Sequence, residues 1–408
     1  MRESQWPLEP LNQACTINPR LPRSHGLTDD HVVSFVPMAA VDEVAGKIAN
    51  PQARPFAVVK KGFTHFEDGD VLFAKITPCM ENGKAAIARE LLGGHGFGST
   101  EFHVIRPQPH VLPEWVFYFV RRQSFRAEAK RNFTGTAGQQ RVPTTFMGSA
   151  MLPVPSLEEQ RRIVDILSRA DGIVHLRREA QKKAAELIPS LFLHLFGDPA
   201  TNPRGWPVHE IGNLGIVQLG RQRTPKYQTG FYTRPYMRVA NVYEDRIDTS
   251  DVLSMDFDER DFPRYRLSYG DILLNEGQST ELVGRPAMWR NEINDCCFQN
   301  TLVRFQPARD VMNSEFALAA LLHYYRSGVL SQISSKTSNV AHLGGGRFAK
   351  LTLYCPPIEL QIDFTRKFEQ VRSIRNQAIA ATQKAEASFG ALLARTFNET
   401  YEGSHGTE

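Results

Sequence analysis

The chain repeats itself at a spacing near 200 residues, and this periodicity restricts its fold more than any single motif. Gly69-Asp70 opens the stretch GDVLFAK, and Gly270-Asp271 opens GDILLNE 201 residues later. Trp6-Pro7 returns as Trp206-Pro207, and HVIRP ending at Pro107 returns as LVRFQP ending at Pro307, both after 200. PSLEEQ ending at Gln160 returns as PIELQ ending at Gln361, and Phe196 returns as Phe397, both after 201. Five landmarks in one order at one spacing make the chain two copies of one unit. Its 408 residues are too many for one hydrophobic core and suffice for two.

Each copy has the same internal order. About 150 residues of short, Gly- and Pro-punctuated segments predict a mixed, strand-rich domain. Helical patterning falls at 113–130 and 313–330. A proline-containing stretch, LPVPS or YCPP, then leads into a long helix, the first capped by Ser156 with Glu158 and Glu159 at its positive end. In that helix Ile163, Ile166, Ala170, Ile173, Arg177, Ala180, Ala184, Leu187 and Leu191 follow alternating steps of three and four, the heptad seam of a coiled coil. Gly172 and Pro189 are its blemishes, and Pro189 is a candidate kink. Phe364, Val371, Ile374, Ala378, Ala381, Ala385, Ser388 and Leu392 take the equivalent places in the second helix. Two helices of about 35 residues, roughly 50 Å each, are too long to bury on domains of this size and are expected to bury each other. For two units related by an approximate twofold the natural pairing is antiparallel. The expected fold class is α+β and pseudo-twofold symmetric. It has a domain over 1–155, a spacer helix over 156–199, a second domain over 200–357, a second spacer helix over 358–400 and a flexible tail over 401–408.

Composition enters through what it excludes. With 41% hydrophobic and 23% charged residues the chain is globular, and it has no apolar run long enough to span a bilayer. The opening MRESQWPLEP has neither the basic nor the apolar region of a signal peptide, so a cytoplasmic location is expected. The five cysteines form no CxxC pair and have no histidine nearby at zinc-ligand spacing, so neither a disulfide framework nor a metal is indicated. A net charge of +4 is too small for indiscriminate coating of DNA, so a nucleic-acid site must concentrate its charge locally. Two stretches do so. Arg221, Arg223, Lys226, Arg234 and Arg238 have no acid among them, and Arg121, Arg122, Arg126, Lys130, Arg131 and Arg141 are offset by Glu128 alone.

No catalytic motif emerges. ITPCMENGK lacks the spacing of a phosphate-binding loop, and GHGFG (94–98) and GGG (344–346) read as flexible turns outside any βαβ context. Glu128-Ala129-Lys130 has no carboxylate partner with which to hold a nuclease metal. His103 and His342 read as hydrogen-bonding residues.

The segments GDVLFAKITPCMENGKAAIA, STEFHVIRP, GTAGQQRVP and PVPSLEEQRRIVDIL together resemble the specificity subunit of a type I restriction-modification system, over nearly the whole chain. The resemblance implies two target recognition domains, each binding one half of a split double-stranded DNA target, held apart by the helices. It further implies two methyltransferase subunits docked on this scaffold and motor-nuclease subunits that join for cleavage. Those partners would bring S-adenosylmethionine, ATP and Mg²⁺, leaving this chain non-catalytic and without a cofactor of its own. Two other readings stay open, a tandem protein-interaction scaffold and an autonomous DNA-modifying enzyme.

Asn and Gln side chains can bridge adenine edges, and Arg and Lys guanine edges. On that chemistry Lys75, Thr77, Asn82 and Lys84, in the turn after the first GD strand, are DNA-binding candidates of copy one. Thr136, Gln139, Gln140 and Arg141 join them from a glycine-flanked loop. In copy two the candidates are Arg221, Arg223, Lys226 and Tyr227 on one loop, Asn275, Gln278 and Ser279 on another, and Ser338, Asn339, His342 and Arg347 on a third. Most such contacts are expected to go to phosphate. Copy one reads KITPCMENGK where copy two reads NEGQSTELVGR, the difference expected of two readers of different half-sites.

Overall fold

The structure, a computed structural model, describes residues 6–136, 139–224, 228–337 and 340–398; Lys226, Tyr227, Ser338, Asn339 and the 401–408 tail lie outside the described residues. The chain divides into two compact units, one built on Met1–Glu179 with Ala380–Glu408, the other on Ala180–Ile379. The division falls inside both long helices, so each unit owns the first part of one and the last part of the other.

The sequence repeat is a repeat of backbone. In the first unit the strands Cys15–Ile17, Phe102–Pro107, Val71–Ala74 and Ala85–Ile87 form an antiparallel sheet in that order. In the second, Gly215–Leu219, Leu302–Pro307, Ile272–Asn275 and Pro286–Met288 form the same sheet in the same order. The Gly-Asp dipeptide makes the turn into the central strand of each. Gly69 and Gly270 stand at φ 91° and 94°, where a side chain would be strained. Asp70 and Asp271 are buried, accepting the backbone N–H of Glu67 and of Ser268. Arg106 forks onto Asp70 with two bonds of 2.8 Å. Asp271 instead meets Gln306 Nε2 at 3.0 Å and Arg304 Nη1 at 3.4 Å.

A second sheet lies in each unit. In the first its order is Gln52–Pro55, Val32–Val36, His95–Gly98, Thr64–Glu67, with the middle pair parallel. In the second it is Leu253–Asp256, Thr233–Met237, Cys297–Phe298, with no fourth strand among the described residues. GHGFG is therefore a strand and not a turn. Gly96 lies under the Phe66 ring, where a Cβ would come within 2.1 Å of Cε2. The patterned stretch 113–130 is also two helices, Pro113–Arg121 and Gln123–Arg131, broken at Arg122, whose guanidinium rests on the Phe119 and Phe397 rings. Its counterpart is Ser314–Arg326 followed, after Gly328 at φ 80°, by Val329–Gln332.

The long helices span Leu157–Phe196 and Ile358–Asn398, and the first continues through Pro189. Ser156 Oγ accepts from the Glu159 N–H, as a cap should. In the first unit Val71, Phe73 and Ile105 pack on Trp115, Val116 and Phe119, closed by Ile163 and Leu167 from one long helix and Leu393 and Phe397 from the other. In the second, Ile272, Leu274 and Phe305 pack on Phe316 and Ala320, closed by Phe364 and Phe368 and by Phe192 and Phe196. Within each unit, then, the start of one long helix lies beside the end of the other, which is the antiparallel pairing. Arg178 reaches Glu386 at 2.6 Å, and Thr382 Oγ1 donates to the Arg177 carbonyl.

The seam itself differs from the heptad reading. Ile163 and Ala184 are buried and Ala170 and Leu191 half-buried, but Ile166, Ile173, Ala180 and Leu187 are exposed. Leu167, Val174 and Ile188 are buried in their place. On the second helix Phe364 is buried and Val371, Ala378, Ala381, Ala385 and Leu392 are half-buried, while Ile374 is exposed. The cause is the period. A straight helix drifts about 20° per heptad from a strict seven-residue repeat, close to one residue position over four or five heptads. These helices follow the straight period because their ends also close domain cores.

Candidate nucleic-acid interface

The candidate residues gather where the central strand of each sheet ends. In the first unit Lys75 N–H donates to the Glu101 carbonyl at 2.9 Å, and Val142 N–H donates to the Lys75 carbonyl at 2.9 Å. Thr77 N–H donates to the Gln140 carbonyl at 3.1 Å, and Ile76 bridges Arg141. The two candidate loops, 75–84 and 134–141, are thereby laced together into one edge. Thr136, Gln139 and Asn82 are exposed on it, and Thr77 and Gln140 half-exposed. Arg141 forks onto Glu101 with two bonds of 2.9 Å, and this fork, first, and the charges of Arg141 and Lys75 hold the Glu101 carboxyl below the usual carboxylate range.

The second unit repeats the lacing with other side chains. Glu276 N–H donates to the Thr301 carbonyl at 2.9 Å, and Leu343 N–H to the Glu276 carbonyl at 2.8 Å. Gly277 pairs with His342, as Ile76 does with Arg141. His342 Nδ1 is 3.0 Å from Glu276 Oε2, so its N–H donates to that carboxylate. The same three places thus hold Lys75, Glu101 and Arg141 in one copy and Glu276, Thr301 and His342 in the other. Gln278 and Ser279 are half-exposed beside them, and Arg347 is exposed, donating to Ser335 Oγ and the His342 carbonyl. Arg223 is exposed on its own loop.

Three candidates face inward. Lys84, just before the strand Ala85–Ile87, turns its ammonium toward the Met38 carbonyl, 3.3 Å, and Glu43, 3.8 Å. Arg221 pairs with Asp261 at 2.6 Å and bonds the Asp256 carbonyl, lying over the Phe257 ring. Asn275 is wholly buried, because it is the last residue of the central strand and not the first of the turn. Three residues of the basic run around residue 121 are also engaged internally. Arg121 donates to the Glu43 and Val44 carbonyls, Arg126 to those of Arg121 and Glu81, and burial pushes Arg122 down to about 10. Sequence reasoning missed Glu101, Thr301 and Glu276, whose importance comes from strand register. The two histidines singled out do hydrogen-bond: His103 Nε2–H donates to the Val142 carbonyl at 2.8 Å, and His342 bonds as above.

The two units thus share matched sheets whose strand ends carry different polar side chains. The profile of the Type I restriction modification DNA specificity domain matches residues 10–186. The type I restriction enzyme EcoEI specificity subunit of Escherichia coli is 39% identical over 166 residues, 40% of this chain and 27% of that relative. The EcoAI specificity subunit of the same species is 37% identical over 160 residues, 39% of this chain and 27% of the relative. The match therefore spans about a quarter of the length of these two relatives. A chain solved in a study of complex assembly and conformational transition of the type I R-M system superposes with a TM-score of 0.60 at 21% identity, covering 96% of this chain and 97% of that one, a likeness of fold. Over residues 10–186 this chain is similar to the type I restriction-modification specificity subunits.

Proposed function

We propose that the chain is the non-catalytic DNA-binding subunit of its restriction-modification complex, recognising a split target with one half read by each unit. One observation carries this reading. The same strand ends and backbone lacing recur in both units, but the side chains there change from Lys75, Glu101 and Arg141 to Glu276, Thr301 and His342. A conserved frame would dock each copy on a duplex alike, and different donors and acceptors would select different base edges. Asn82, Thr136, Gln139 and Arg223 are the exposed contacts we assign, with Thr77, Gln140, Gln278, Ser279 and Arg347 beside them. The partners are two methyltransferase subunits and motor-nuclease subunits in the cytoplasm, which supply S-adenosylmethionine, ATP and Mg²⁺. The test is selection from a random duplex pool by this chain in complex with its methyltransferase subunit. Two short fixed blocks around a fixed gap are expected; an unenriched pool would refute the reading.

A further inference from the structure

One side-chain cluster in the first unit lies apart from the strand-end edge. His65 and Glu67 stand two apart on the edge strand Thr64–Glu67 and so share a face, and His95 lies opposite Glu67 on the neighbouring strand. One ligand atom from each lies within 4.8 Å of the others. His65 Nε2 is 3.1 Å from His95 Nδ1 and 3.8 Å from Glu67 Oε1. Ligands about 2.0–2.1 Å from a tetrahedral zinc ion stand about 3.3 Å apart, a value these two separations bracket.

We propose that His65, Glu67 and His95 form a binding site for a divalent transition metal, zinc by its ligand chemistry, that clamps the edge strand Thr64–Glu67 to the strand His95–Gly98. Two imidazoles and a carboxylate are a borderline donor set that suits zinc over magnesium or calcium. The surroundings fit a cation. Arg106 Nη1 holds Glu67 Oε2 at 2.9 Å, leaving Oε1 on the side of His65. Its positive charge is already matched by the Asp70 fork, so Glu67, Asp70 and Arg106 together carry a net negative charge. His65 is buried, and its Nδ1 has no hydrogen-bond partner among the described residues.

The second unit supplies an internal comparison. Leu267 N–H donates to the Cys296 carbonyl where Phe66 pairs with Gly96, which puts Arg266, Ser268 and Asp295 at the places of His65, Glu67 and His95. There Arg266 Nη2 meets Asp295 Oδ1 at 3.1 Å. A fixed cation bridges the two segments in one copy, and a bound cation bridges them in the other. The ligands escaped the sequence reading because His65 and His95 stand 30 positions apart and no cysteine marks them.

The test uses the full chain, purified without a histidine tag, loaded with Zn²⁺ or Co²⁺ and dialysed. About one zinc per chain, a visible tetrahedral-type cobalt absorption band and a thermal transition raised by zinc are expected. All three should be lost in Glu67→Gln and in His95→Asn, the latter at a half-exposed position that the fold tolerates, and kept in His110→Gln, an exposed histidine elsewhere. A wild-type chain that retains no zinc, or a zinc content and cobalt band unchanged in folded His95→Asn, would overturn the proposal.

Discussion

Gln160 should be among the costliest single residues to remove. It is fully buried at the start of the first long helix. Its Oε1 accepts the Leu112 N–H at 2.9 Å, and its Nε2 donates to the His110 and Pro155 carbonyls at 2.9 and 2.8 Å. Leu112 immediately precedes the helix Pro113–Arg121, so one side chain ties the long helix to the helix that covers the sheet. Three bonds at about 1 kcal/mol net each, plus one buried N–H left unpaired at about 1–3 kcal/mol, give a loss of about 4–6 kcal/mol for Gln160→Ala. Gln361 makes the same bonds in the second unit, to Asn313 N–H, the Val311 carbonyl and the Pro356 carbonyl, at 2.9, 3.2 and 2.7 Å. Gln361→Ala should therefore cost the same, and the double variant should equal the sum within about 0.5 kcal/mol. Urea unfolding followed by tryptophan fluorescence reads both, since Trp115 is buried in one unit and Trp289 in the other. A cost below about 1 kcal/mol at either site would refute the reasoning.

Asn275 is buried with both amide atoms unpartnered among the described residues, and Ala74 occupies its place in the first copy, so Asn275→Ala should leave stability unchanged or raise it by about 1–3 kcal/mol and leave DNA affinity intact. In DNA binding by the complex, Arg223→Ala should lower the salt slope by about one phosphate contact, whereas Arg221→Ala should lower the melting temperature of the second unit by releasing Asp261. Acid should loosen the first unit's edge. Glu101 keeps its charge in the fold below its ordinary value near 4.5, so the fork's contribution is complete above that value and is lost as pH falls through the depressed one. Proteolysis at the 134–141 loop should rise over that range, and Glu101→Gln should abolish the pH dependence. Four residues inserted in each long helix add about 6 Å of helix, so the target's gap should grow by about two base pairs with its half-sites unchanged.

Much of this was legible from spacing. The offsets that link Asp70 to Asp271 and Gln160 to Gln361 reappear as matched hydrogen bonds, because a repeat preserves the residues that fix backbone. The helix seam was misplaced by one position, since residue pattern alone does not separate a 3.5 from a 3.6 period when the helix also caps a core. Candidates chosen for side-chain type divided according to strand register. Thr77 and Gln140 meet at one edge, whereas Lys84, Arg221 and Asn275 point into the protein. The basic run around residue 121 is partly spent inside the first unit, where Arg121, Arg122 and Arg126 donate to main-chain carbonyls and Arg122 rests on the Phe119 ring.

The most direct measurement is to express the chain with the methyltransferase subunit proposed as its partner in a methylation-free host and map modified adenines across the genome. Two short defined blocks around a fixed undefined gap are the expected outcome, with one block altered and the other retained when Glu276, Thr301 and His342 are replaced. A continuous motif, or both blocks changing together, would contradict the claim that each unit reads its own half.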